Sequence, residues 1–133
     1  MPAIRNDWTR NEVEAIYSAP LLELIFRAAG VHRSFHETGE VQVCTLLSIK
    51  TGGCPEDCAY CPQSARYDTG IGAGRLLTSD VILEAARAAK NSGSTRFCMG
   101  AAWREVKSGA DFEQVLDMVR LVRRLDMEAC VTL

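Results

Sequence analysis

Six cysteines stand in this chain, Cys44, Cys54, Cys58, Cys61, Cys98 and Cys130, and three of them crowd into residues 54–61. The crowded stretch reads Lys50-Thr51-Gly52-Gly53-Cys54-Pro55-Glu56-Asp57-Cys58-Ala59-Tyr60-Cys61-Pro62-Gln63-Ser64, a C-x3-C-x2-C pattern. Soft thiolate ligands suit iron–sulfur and zinc sites. Three of them on one wrapped loop are enough for three irons of a cubic 4Fe–4S cluster. Such a cluster normally takes four cysteines, so a three-cysteine loop leaves one iron open to a non-protein ligand. An open position is where a metal binds substrate and does chemistry. Gly52 and Gly53 would let the backbone approach the cluster, and Pro55 and Pro62 would stiffen the loop.

Other readings of the cysteines stay open on spacing alone. A structural zinc site wants four ligands, and Cys98 or Cys130 is available as the fourth. A disulfide with a spare thiol requires an oxidising compartment. The N-terminal Met1-Pro2-Ala3-Ile4-Arg5-Asn6-Asp7 is polar and has no apolar segment of the secretory kind. The expected location is therefore cytoplasmic, with the thiols reduced. Cys98 and Cys130 by themselves read as buried strand cysteines, and Cys44 reads as a small core residue.

The elements that must position these residues follow from the pattern around them. Of 133 residues, 47% are hydrophobic and 24% charged, ordinary globular usage that excludes disorder as the main state. Lys plus Arg number 15 against 17 Asp plus Glu, which gives no support to a nucleic-acid binder. No apolar run approaches the ~18 residues of a membrane span.

Thr9 and Glu12 form a capping-box pattern ahead of a short helix to about residue 17. Pro20 suits the first turn of a second helix, whose apolar face holds Leu21, Leu22, Leu24, Ile25, Ala28 and Ala29. Residues 41–49 are apolar and β-prone, as in a strand buried on both faces. Residues 50–79 form a long loop holding the cysteine cluster, and loops of this length are usually functional.

A helix capped by Ser79 or Asp80 follows, with Val81, Ile82, Ala85, Ala86 and Ala89 inward and Gly93 at its end. Residues 95–99 make a second strand. Asp111, with Gln114 three residues on, opens a third substantial helix, its apolar positions Phe112, Val115, Met118, Val119, Val122 and Leu125. Residues 128–133 begin a third strand. Strands alternating with amphipathic helices give parallel βαβ units. The fold class expected is α/β: the N-terminal part of a (β/α)8 TIM-type barrel, with about three parallel strands, preceded by N-terminal helices. Residues 1–38 would form the helical extension and residues 39–133 a partial core truncated at the third strand, since a closed barrel needs ~200 to 250 residues.

On these residues the chain resembles the radical S-adenosylmethionine (SAM) superfamily, and within it the biotin synthase family. The resemblance rests on the stretch Thr45-Leu46-Leu47-Ser48-Ile49-Lys50-Thr51-Gly52-Gly53 and the cysteine loop after it. It extends through Phe97-Cys98-Met99-Gly100-Ala101-Ala102-Trp103-Arg104 and Glu128-Ala129-Cys130-Val131-Thr132-Leu133. It implies that Cys54, Cys58 and Cys61 hold a 4Fe–4S cluster whose open iron is chelated by SAM. Tyr60 would lie against that cofactor, and the backbone of Met99, Gly100, Ala101 and Ala102 would meet its methionine end. Cys98 and Cys130 would be two ligands of a second, 2Fe–2S cluster.

The activity implied is of sulfurtransferase type, insertion of sulfur into dethiobiotin to give biotin. A flavodoxin-like electron donor and a homodimer are implied with it. The other second-cluster ligands and most dethiobiotin contacts would lie beyond Leu133, so residues 1–133 alone are expected to be inactive. The competing reading is a non-catalytic zinc or iron–sulfur binding module.

Other candidates read more plainly. His32 and His36 lack a third metal partner and suit a solvated helix end. Gly70-Ile71-Gly72-Ala73-Gly74 follows a loop rather than a strand and is not a dinucleotide-binding turn. Glu56 and Asp57 read as solvated loop charges, and Arg123 and Arg124 as dipole-favoured charges at a helix end.

Overall fold

The structure is a computed structural model that describes residues 4–133. The chain divides into two compact units, Met1–Val41 and Gln42–Leu133. The first holds α1 (Arg10–Tyr17) and α2 (Leu21–Phe35). The Thr9–Glu12 capping box forms: the Thr9 N–H donates to the Glu12 carboxylate at 2.9 Å, and the Glu12 N–H donates back to the Thr9 hydroxyl at 3.4 Å. The Thr9 N–H, then the Arg5 guanidinium at 3.0 Å and the Thr9 hydroxyl at 2.7 Å, lower the Glu12 carboxyl to about 2. Pro20 sits at the N-cap of α2 rather than in its first turn, and the helix runs through Gly30 to Phe35. His32 and His36 stack at the exposed end of α2, their ring centroids 5.3 Å apart.

The second unit is β1 (Cys44–Lys50), α3 (Ser79–Asn91), β2 (Arg96–Ala101), α4 (Ala110–Arg124) and β3 (Glu128–Thr132). Its strands lie in the order β1-β2-β3, all parallel. This α/β arrangement is the one the strand–helix alternation predicts. Side chains alternate across a strand, and Ile49, Phe97 and Met99 fall on one sheet face. There they meet Ile82, Ala86 and Ala89 of α3 and Val115, Met118 and Val122 of α4, all buried. Fully burying a side chain such as Phe97 or Ile82 contributes about 1.5–3 kcal/mol.

Three expectations are corrected. β1 is packed on one face only: Leu47 and Ile49 join the core, but Leu46 is 72% exposed. Both helices lie against the same side of the sheet, so within residues 42–133 the apolar residues of β1 on the other side have no layer over them. Cys44, on that open side, is exposed and not a core residue. The helix caps also shift. Thr78 precedes α3, and Gly109 precedes α4, where the Gln114 amide donates to the Leu77 carbonyl instead of closing a box. Gly93 follows the C-cap Ser92 with φ +90°, the left-handed turn that glycine adopts at no steric cost. Among the described residues no helix is long and apolar enough to cross a membrane.

Candidate metal centre

The cysteine loop leaves the carboxyl end of β1 and closes on itself. Cys54 bridges to Ser64, its N–H donating to the Gln63 carbonyl at 2.9 Å and its carbonyl accepting from Ala65 at 2.8 Å. Within this neck the chain makes two successive turns: the Cys61 N–H donates to the Cys58 carbonyl, and the Ser64 N–H to the Cys61 carbonyl. Cys58 and Cys61 are therefore the two ends of one turn, which brings their Cα atoms within about 7 Å. The Ser64 hydroxyl is buried and donates to the Glu56 carbonyl at 2.6 Å, tying the far side of the loop to the neck.

Gly52 and Gly53 both take positive φ, +72° and +68°. Their reason is the strap of residues 70–74, which runs beside them. A Cβ on Gly52 would strike the Gly72 carbonyl, and one on Gly53 would lie 2.7 Å from the Ala73 Cβ. The close approach in this structure is thus to another backbone segment. The Gly74 N–H donates to the Thr51 carbonyl at 2.7 Å and holds the strap there.

Two loop charges are paired rather than merely solvated. Glu56 meets Arg104 at 3.0 Å, and Asp57 accepts the Tyr67 hydroxyl at 2.6 Å, which raises the Tyr67 phenol above its ordinary value. Tyr60 is 91% exposed, beside Cys61.

The loop lies against the segment after β2. The Cys54 thiol is 3.7 Å from the Trp103 carbonyl, and the Lys50 ammonium donates to the carbonyls of Gly52 and Ala102. A cleft of about 340 Å³ opens there, lined by Lys50, Gly53, Pro55, Ala102, Trp103 and Arg104 among others. Of the four residues expected to meet a cofactor here, Gly100, Ala101 and Ala102 are half-buried, while the Met99 side chain is wholly in the core and leaves only its backbone available.

The open sheet face holds the other cysteines. Cys98 and Cys130 are direct register partners, and Leu46 is the partner of Cys98 on β1. The row before it is Cys44, Arg96 and Glu128. There the Arg96 guanidinium donates to the Glu128 carboxylate at 2.7 Å, with the Gln42 amide adding a bond at 2.9 Å. Both lower the Glu128 carboxyl, Arg96 the more strongly. Desolvation, and next the Cys130 thiol beside it, raise the Cys98 thiol.

All six cysteines are free thiols. Among the described residues no three Cys, His, Asp or Glu side chains converge closely enough to hold a metal ion. Cys54, Cys58 and Cys61 share one loop and Cys98 and Cys130 one sheet row, but neither set closes a ligand sphere. Free thiols attract one another only weakly, and a bound metal draws them together by taking them as thiolates. The donor chemistry fits an iron–sulfur centre: three half-buried sulfurs on a loop closed at its neck, and a separate sulfur pair on a β-sheet face. Sequence reading passed over Lys50, Gln63, Ser64 and Trp103. Lys50 alone left a signal, as a charge ending an apolar strand.

No family model matches the chain. Among curated proteins it is similar to the biotin synthase of Cytophaga hutchinsonii, 59% identical over 133 residues, which is all of this chain and 40% of that protein. It is 62% identical over 131 residues to the biotin synthase of Sorangium cellulosum, covering 98% of this chain and 38% of that one. With the mitochondrial biotin synthase of Arabidopsis thaliana it shares 55% identity over 130 residues, 97% of this chain and 34% of the relative. The chain thus spans well under half the length of these relatives.

Proposed function

We propose that this chain, which corresponds along its whole length to part of a biotin synthase, forms the cluster-binding portion of a radical SAM enzyme that converts dethiobiotin to biotin. In the whole protein the three strands would continue into a (β/α)8 barrel, with residues 1–38 as a helical extension before residues 39–133 of the core. The observation that carries the reading is the division of the cysteines. A three-thiol loop stands at the carboxyl end of β1, where barrel enzymes keep their chemistry, and a thiol pair stands in register on the open sheet face.

Cys54, Cys58 and Cys61 would hold a 4Fe–4S cluster. When bound, it supplies the electron that splits the SAM sulfonium bond and releases a radical able to abstract hydrogen from unactivated carbon. Cys98 and Cys130 would hold half of a 2Fe–2S cluster, the proposed sulfur source. The chain's own residues do the positioning. The Cys54–Ser64 neck fixes the loop, and Gly52 and Gly53 allow the strap to pack beside it. Tyr60, exposed beside Cys61, would cover the bound SAM, and the backbone of Met99, Gly100, Ala101 and Ala102 would receive its methionine end. Six free thiols suit a reducing compartment such as the cytoplasm, and a flavodoxin-like donor and a homodimer complete the proposal.

Anaerobic reconstitution of the whole protein with iron and sulfide tests it. The expected result is broad visible absorbance that changes when SAM is added, and biotin formed from dethiobiotin under reducing conditions. A colourless protein with one zinc would instead identify a non-catalytic module.

A further inference from the structure

Lys50 is the last residue of β1 and follows a register shift between Ser48 and Lys50. Such an irregularity re-aims a side chain at the end of a strand. The half-buried Lys50 ammonium donates to the Gly52 carbonyl at 2.9 Å and to the Ala102 carbonyl at 3.1 Å. The backbone adds a third bond, from the Ala102 N–H to the Lys50 carbonyl at 2.9 Å. One residue thus joins the root of the cysteine loop to the segment after β2.

Two other contacts cross the same gap, one lost once metal is bound and the other weak because it is exposed. The Cys54 thiol donates to the Trp103 carbonyl at 3.7 Å. A metal-bound cysteine is a thiolate and has no S–H to donate. The Arg104–Glu56 ion pair is 64% and 44% exposed, and such pairs contribute little. The ammonium of Lys50 keeps both acceptors whether Cys54 is protonated or ligated.

We propose that Lys50 is a positioning residue that locks the cysteine loop to residues 101–104, and so sets the open side of the cluster against the backbone that receives SAM. The second half of this statement rests on the function proposed above; the first half does not.

The test uses the whole protein carrying Lys50→Met or Lys50→Arg. In protein without cofactors, hydrogen exchange in Lys50→Met is expected to rise about tenfold in residues 51–54 and 101–104 together, the scale of a lost charged hydrogen bond. Lys50→Arg, which keeps charged donors, is expected to reverse most of the rise. After reconstitution, Lys50→Met is expected to raise KM for SAM about tenfold while kcat stays within about threefold, the pattern of lost binding rather than lost chemistry. A rise confined to one segment, or none, would overturn the coupling. A lowered Tm with unchanged KM would overturn the positioning role. If Lys50→Met does not fold, Lys50→Gln, which has a shorter reach and no charge, serves in both measurements. If the unsubstituted protein loads no cluster, the functional reading fails, while the exchange measurement still decides whether Lys50 joins the two segments.

Discussion

Cys98 and Cys130 face each other across two parallel strands, on the sheet side opposite α3 and α4. Neighbouring strands lie about 4.8 Å apart, within the ~4.4–6.8 Å Cα separation that a disulfide accepts. In metal-free protein a mild oxidant such as a diazene that takes up two hydrogens is expected to be able to join this pair. Peptide mapping would find residues 98 and 130 linked, with a mass lower by two hydrogens. A first bridge from either of them to Cys54 would contradict the register.

The two sulfur groups should also separate by substitution. Cys58→Ala removes one of three ligands from the loop but leaves the sheet pair intact. After reconstitution, iron and sulfide assigned to the 4Fe–4S cluster should disappear while the 2Fe–2S absorbance remains, and biotin formation should fall by more than about 100-fold, beyond the loss typical of an outer-shell change. Cys98→Ala should do the reverse to the spectra. Loss of both chromophores in both variants would mean that the loop and sheet cysteines serve a single centre.

Gly52 lies beside the strap at φ +72°, where a side chain is strained and where its Cβ would meet the Gly72 carbonyl. Gly52→Ala is expected to destabilise the whole protein by at least about 1–3 kcal/mol, the cost of holding a non-glycine residue in such backbone. Gly72 has open space around its own Cβ position, so Gly72→Ala should change stability by less than about 1 kcal/mol. Denaturant unfolding of the two variants compares these values. Equal effects would show that the close approach of the strap is not what selects glycine.

The alternation of strands and helices was legible because β2 and α4 carry clean periods. Phe97 and Met99 alternate with Cys98, and Val115, Met118 and Val122 recur at helical spacing. The cysteine loop was legible from spacing for the same reason: its ligands are local. What sequence left hidden depended on contacts between distant residues. Leu46 and Cys44 read as core because apolar character does not say which sheet face the helices cover. The reason for Gly52 lies twenty positions away in Gly72, and Glu56 finds Arg104 only after β2 has paired with β1. At α4 the Gln114 amide donates to the distant Leu77 carbonyl and closes no box with its own helix start.

Acid should loosen α1 in a narrow and specific window. Glu12 is held at about 2 chiefly by the Thr9 N–H, then by Arg5 and the Thr9 hydroxyl, against 4.5 for an ordinary glutamate. A depressed folded value means that the charged form is favoured by folding. The cap's contribution is therefore complete above about pH 4.5 and is lost as the pH falls through about 2. The carboxyl carbon resonance of Glu12 should titrate with its midpoint near 2, and helicity should fall over the same range; a midpoint near 4.5 would mean the box does not form in solution. Glu12→Gln sharpens the test, because glutamine at this position still closes a capping box but cannot ionise. That variant should keep α1 and lose this step of the acid dependence, so a helix that melts equally in both would place the cause at another carboxylate.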